Sequence, residues 1–200
     1  MIKNKFSKSD KLKEINDEIV NFKKSPLYKF RVENKYLPVI GEGSVSAKIM
    51  FVGEAPGKTE AKTGRPFCGS AGKVLDRLVV SVKMKRPDVY ITNLIKDRPP
   101  LNRDPKPKEI LLYGSFLDRQ IEIIQPKIIV TLGRYSMAYL MKKFELEEKD
   151  EPISNLHGKI FKIKTSYGMI KLAILYHPAV AVYNPHKFRI LEKDFKNCLK

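Results

Sequence analysis

The sequence predicts an α/β protein, a three-layer α/β/α sandwich around a mainly parallel central sheet. Two observations carry that expectation. Behind an opening lysine, residues 48–53 and 127–132 each run apolar without alternation, broken only by Thr131, the pattern of strands covered on both faces. Around them lie segments with apolar residues at helical spacing, and strand and helix in alternation build a parallel sheet with helices on each side. With 200 residues, 42% of them hydrophobic, the chain can bury a sizeable core, and residues 1–200 read as one domain.

Taken in order, residues 10–24 place Leu12, Ile15, Ile19 and Phe22 on one helical face, closed by Ser25-Pro26, so an N-terminal helix is expected to pack on the core. After strand 48–53 comes a long loop, then a helix over 71–83 with Val74, Leu75, Leu78, Val79 and Val82 on one side. Residues 88–93 read as a second strand. Residues 98–107 hold four prolines and two arginines, which predicts a rigid, solvent-facing loop before a helix at 108–124. Strand 127–132 ends at Gly133, a short helix follows at 135–144, and 145–152 is an acidic loop. Residues 160–164 and 169–176 are expected to pair as a hairpin around Ser166-Tyr167-Gly168, and 188–199 reads as a terminal helix.

Lys plus Arg number 39 against 22 Asp plus Glu, a net charge of +17, which is the sign that attracts phosphate backbones. Lysines that merely solvate the surface, as in a lysine-rich or heat-adapted proteome, are the plainer alternative. Two cysteines, Cys68 and Cys198, are too few for a four-cysteine metal or cluster site and suggest free thiols inside the cell. The N-terminal stretch lacks an apolar core, and no run approaches the roughly 18 apolar residues of a membrane span. An intracellular, monomeric protein with no membrane association is expected.

Two segments concentrate the chemistry: GEAPGKTEAKTGRPFCGSAG at 53–72 and LYHPA at 175–179. Each follows an apolar strand. In an open parallel sheet, ligands sit beyond the carboxyl ends of strands, so both loops are expected to line one crevice despite their separation in sequence.

GEAPG followed by Glu60, GRPFCGSAGKVLD, Asn93-Leu94-Ile95-Lys96 with Arg98-Pro99-Pro100-Leu101-Asn102-Arg103-Asp104-Pro105, PKIIVTLGR and HPA, in that order, closely resemble family 4 uracil-DNA glycosylases from about residue 22 to residue 195. The resemblance implies the uracil-DNA glycosylase fold and hydrolysis of the N-glycosidic bond of uracil in single- or double-stranded DNA, after the base is flipped out, leaving an abasic site. It implies that Gly53, Ala55, Glu60, Phe67 and Asn93 form the uracil pocket. Phe67 stacks on the base. Asn93 reads O4 and N3–H, because an amide presents a donor and an acceptor together. His177 bonds O2 and stabilises charge on the leaving base, Glu54 positions water or the sugar, and Glu60 crowds the C5 side against a thymine methyl. For the DNA backbone, Ser70 with Gly69 and Gly72 offers amides at a helix start, and Lys96, Arg98, Arg103, Lys106 and Lys108 gather around the proline-rich loop. His157 and His186 are read as structural, with His186 in a basic stretch that could touch phosphate.

Departures from the family matter equally. Its members typically hold an iron-sulfur cluster on four cysteines, and the equivalent positions here are Phe22, Ser25, Asp97 and Tyr113, none of which supplies a thiolate. No cofactor is therefore expected; packing of Phe22 and Tyr113, with Asp97 paired to a nearby base, should tie the N-terminal helix to the loop instead. Position 55 is alanine, so no general base is available there. Tyr183 stands where the family usually has an arginine before Asn-Pro, and it could wedge or stack on DNA. A catalytically silent DNA-binding or assembly module on the same fold is the alternative. A covalent uracil trap related to this family would need a basic insertion ending in histidine after the Asn93 region, and the stretch 96–109 has no histidine.

Overall fold

The computed structural model describes residues 6–199. The chain runs α1 (Lys8–Val20), α2 (Tyr28–Glu33), β1 (Glu42–Gly43), β2 (Ile49–Gly53), α3 (Lys58–Thr63), α4 (Ser70–Ser81), β3 (Tyr90–Asn93), α5 (Pro107–Ile124), β4 (Ile128–Leu132), α6 (Arg134–Lys143), α7 (Ile153–Leu156), β5 (Ile160–Thr165), β6 (Gly168–Leu175), α8 (Ala179–Tyr183) and α9 (Phe188–Leu199). The six strands are ordered β1-β3-β2-β4-β6-β5. The inner four are parallel and the two edge strands antiparallel.

Every residue of β2 is buried, because its two faces feed different cores. Met50 and Val52 meet Ile15 of α1, Leu117 of α5 and Leu140 of α6. Ile49 and Phe51 meet Leu75 and Leu78 of α4 and Phe195 of α9, whose ring stacks on Phe51 with centroids 5.7 Å apart. The unbroken apolar run is thus the signature of the middle layer in a sandwich. From β2 the chain steps outward to β3, then returns to β4 on the other side. That reversal opens a crevice beyond the strand ends between the two halves.

The elements differ from expectation mainly where they are short. α1 starts at Lys8, where Ser7 and Asp10 form a reciprocal cap, and ends at Val20, so Phe22 lies beyond it. α2, α3 and α8 have six, six and five residues, too few to display a helical period, and α3 lies inside what reads as a loop. No helix among the described residues is long and apolar enough to cross a membrane.

Candidate active site

The crevice holds a cavity of about 380 Å³ lined by Glu54, Ala55, Phe67, Asn93 and His177, with Asn102 at its rim. Its floor depends on Gly53, the last residue of β2. A Cβ at Gly53 would lie 2.3 Å from Asn93 Oδ1 and 2.6 Å from Phe67 Cζ, so only glycine lets the amide and the ring approach this closely. Asn93 ends β3 directly beside Gly53 in the parallel register. It is 2% exposed, yet its Oδ1 has no hydrogen-bond partner. A buried acceptor left unpaired costs roughly 1–3 kcal/mol and calls for an explanation in a ligand.

Phe67 is held in a left-handed backbone conformation, φ 47°. Arg86 fixes it there: its guanidinium donates to the carbonyls of Pro66 at 2.6 Å and Phe67 at 3.3 Å while pairing with Asp76 at 2.8 Å. Arg86 sits in no recognisable motif, and only the fold reveals its role. The Phe67 ring lies 5.5 Å from the imidazole of His177, the two planes tilted by 31°.

His177 follows β6, and Pro178 turns the chain so that the Ala179 N–H donates to His177 Nδ1 at 3.1 Å. An Nδ1 that accepts puts the proton of a neutral imidazole on Nε2. Burial pushes the pKa down to about 4, against the pull of Glu60, so the ring is neutral at physiological pH. Glu54 behaves in the opposite sense: burial, reinforced by Asp104 and opposed by Arg134, pushes its carboxyl up to about 7. Asp104 and Arg134 pair with each other at 2.6 Å, joining the proline-rich loop to the start of α6.

The structure brings together Ala55, Phe67 and Asn93, which the sequence assigned to the pocket, with Glu54 and His177, which it assigned to catalysis; Asn102 was not among the expected site residues. Glu60 lines the cavity too, but its Oε1 accepts from the backbone N–H of Cys68 at 3.0 Å and Gly69 at 2.7 Å, so the carboxylate braces the loop ahead of α4. That removes Gly69 as a phosphate donor, and Gly72 is pressed against the Phe67 carbonyl, which a Cβ would meet at 1.9 Å. Ser70 alone of that trio keeps an exposed position at the cavity edge.

Lys96 is the clear correction. Expected on the DNA face, it is wholly buried, and its ammonium donates to Thr92 Oγ1 at 2.8 Å, the Asn93 carbonyl at 2.6 Å and Gln120 Oε1 at 2.6 Å. With neutral oxygens around it, burial drives its pKa well below normal. It secures the β3 terminus and cannot touch phosphate. Arg98 bonds Asn102 and Tyr36, and Arg103 forms two bonds with the buried Glu109, so both brace the loop that carries them. The side chains of Lys106 and Lys108 are exposed, and Tyr183, 88% exposed, stands outside the cavity. His157 pairs with Asp194 at 2.7 Å and is structural, as expected.

The profile of the uracil DNA glycosylase superfamily matches residues 40–200. The chain is 47% identical to the type-4 uracil-DNA glycosylase of Sulfurisphaera tokodaii over 94% of its own length and 83% of the relative's. Against the type-4 enzyme of Archaeoglobus fulgidus the identity is 41%, over 94% and 91%. Against that of Thermotoga maritima it is 41%, over 76% and 74%. The chain belongs to the uracil-DNA glycosylase superfamily.

Phe22, Ser25, Asp97 and Tyr113, the positions that the sequence resemblance pairs with cluster ligands, form one corner of this fold. Phe22 meets Tyr113 and Phe116 edge-on, with centroids 5.8 and 5.1 Å apart. The Tyr113 hydroxyl donates to Asp97 Oδ2 at 2.5 Å and shares a 2.7 Å bond with Ser25 Oγ. Asp97 Oδ1 accepts from Arg31 at 3.1 Å, and Arg31 donates in turn to the carbonyls of Ile19 and Val20 at the end of α1. The nearby base expected for Asp97 is therefore Arg31, supplied by the unforeseen α2. A ring, a hydroxyl, a carboxylate and a phenol, all engaged with one another, do not fit an iron-sulfur cluster. Among the described residues no group of three or more His, Cys, Asp or Glu side chains is placed to hold a metal.

Proposed function

We propose that the protein is a uracil-DNA glycosylase that acts as an intracellular monomer without an iron-sulfur cluster, extruding uracil from DNA and hydrolysing its N-glycosidic bond to leave an abasic site. The observation that carries this function is the unpartnered Asn93 Oδ1 at the floor of a cavity walled by Phe67 and His177.

Uracil offers N3–H as donor with O4 and O2 as acceptors. Asn93 Oδ1 accepts from N3–H and the amide nitrogen donates to O4; cytosine, with an acceptor at N3 and an amino group at C4, reverses both. Phe67 covers the base face. The Nε2–H of neutral His177 donates to O2, where negative charge accumulates as the glycosidic bond breaks. Because the imidazole starts neutral, the bond strengthens as the uracil anion forms, favouring the transition state over the bound base. Ala55 contributes no base, leaving Glu54 as the cavity carboxylate able, when ionised, to orient water and support positive charge on the sugar.

Purified protein incubated with uracil-containing oligonucleotide, followed by alkali, should give strand cleavage at uracil and none at thymine or cytosine. Intact strands with retained DNA binding would instead establish the silent module. The same preparation should be colourless and contain no stoichiometric iron; visible iron-sulfur absorbance would overturn the cluster-free reading.

A further inference from the structure

Uracil leaves its sugar as an anion, and the cavity wall offers that charge little. Glu54 and Glu60 are acidic, His177 is neutral, and Lys58, the cation among the lining residues, is exposed to water. Behind the floor stands a buried cation. Lys96 lies three residues past the end of β3, and its ammonium folds back to donate to the Asn93 carbonyl at 2.6 Å. Thr92 Oγ1 at 2.8 Å and Gln120 Oε1 at 2.6 Å complete its shell.

The neighbouring hydrogen bonds set the protonation of that shell. The Thr92 hydroxyl gives its proton to the Ile40 carbonyl at 2.7 Å, and the Gln120 amide nitrogen donates to the same carbonyl at 2.9 Å and to the Tyr90 hydroxyl at 3.3 Å. Each of the three oxygens around Lys96 therefore accepts. An ammonium carries three donors and matches them, whereas a neutral amine would turn a lone pair on an oxygen. Burial pulls the pKa well below normal, and this set of acceptors is what opposes the loss of the proton. None of the acceptors is a carboxylate, so the charge is held by dipoles rather than cancelled. Its field, little screened in a buried setting, reaches past its own contacts.

We propose that Lys96 is a positioning residue that acts through Asn93, holding positive charge behind the pocket floor where it stabilises the departing uracil anion. Its role rests on the glycosylase function proposed above. The charge does little for the neutral bound base and most as the glycosidic bond breaks, so it favours the transition state. Anchoring the β3 terminus alone would ask only for hydrogen bonds, which a neutral side chain supplies without desolvating a charge.

Single-turnover excision of uracil and of 5-fluorouracil from the same oligonucleotide separates charge from anchoring. Fluorine withdraws electrons, so 5-fluorouracil is the better leaving group and depends less on outside stabilisation. Lys96→Met, of similar length and uncharged, should slow uracil excision about tenfold or more and 5-fluorouracil excision about threefold less than that, with DNA affinity nearly unchanged. An anchor whose loss merely misplaces Asn93 would slow both bases in equal proportion. Lys96→Met leaves the Asn93 carbonyl and Gln120 Oε1 unpaired; Lys96→Met/Gln120→Leu removes charge and one acceptor together and decides the question if the single variant does not fold. Equal slowing of the two bases, or an unchanged uracil rate, in the folded variant would overturn the proposal while the glycosylase function stands. If the wild type excises neither base, the glycosylase function fails and the role of Lys96 fails with it.

Discussion

The base cavity and the corner around Tyr113 are both polar, both largely buried and both built from residues distant in sequence, yet they follow opposite rules. In the corner, the Ser25 hydroxyl, the Asp97 carboxylate, the Tyr113 phenol and the Arg31 guanidinium each find partners within the protein. In the cavity, Asn93 Oδ1 finds none, Phe67 is held in a left-handed conformation and Glu54 is kept close to neutrality. Satisfied polar groups lock a structure, whereas unsatisfied ones wait for a ligand. The corner is an aromatic and ionic lock that joins the segment after α1 to the loop after β3 and to α5.

The largest effect should come from breaking the lock. Asp97→Ala leaves the buried Arg31 without its counter-charge and Tyr113 without its acceptor, which should cost about 3–5 kcal/mol of stability, measured by denaturant titration. Excision per folded molecule at low temperature should change little. A loss of rate larger than the loss of folded protein would show that the corner belongs to the active site.

Next comes His177→Ala, which should lower the single-turnover rate by about 10²–10³, as for one oxyanion-type donor, while leaving DNA affinity nearly intact. Equal losses of affinity and rate would make His177 a binding residue and weaken the contrast between poised and satisfied groups. Asn93→Ala sharpens that contrast through the sign of its stability effect. Removing an unpaired buried acceptor should leave the protein as stable as before or about 1 kcal/mol more stable, while uracil excision collapses. Undiminished excision would take Asn93 out of the pocket.

How much of this was legible in the sequence varied with the range of the interaction. The long elements, α4, α5 and β4, announced themselves through apolar periodicity, and the pocket residues through short strings next to strand ends. Lys96 misled because a lysine beside Arg98 and a run of prolines resembles a surface contact; its acceptors Ile40, Thr92 and Gln120 converge only in the folded chain. Glu60 read as a base contact because its bonds to Cys68 and Gly69 depend on α3, a helix too short to show a period. Arg31 and Arg86 gave no local signal, since each is a clamp whose meaning lies in carbonyls brought from elsewhere.

The remaining prediction concerns the groups that titrate. Glu54 is raised to about 7 by burial and by Asp104, so near neutral pH the cavity holds a mixture of carboxyl and carboxylate. If the carboxylate orients water and supports the sugar cation, single-turnover excision should rise about tenfold per pH unit below 7 and level off above it. His177, titrating at about 4, stays neutral across that range and adds no inflection. Glu54→Gln should flatten the profile and sit below the wild-type plateau. Stability carries the opposite sign. A carboxyl whose pKa rises from 4.5 unfolded to about 7 folded stabilises the native state fully below 4.5, and that contribution is lost as pH climbs through 7. Glu54→Gln, which cannot ionise, should therefore gain on the wild type in stability between those values and hold a constant margin above them. Coincident inflections, with rate rising where stability falls, would tie both to one buried carboxylate held ready at the mouth of the cavity. A rate inflection that survived in Glu54→Gln would move the titrating group elsewhere.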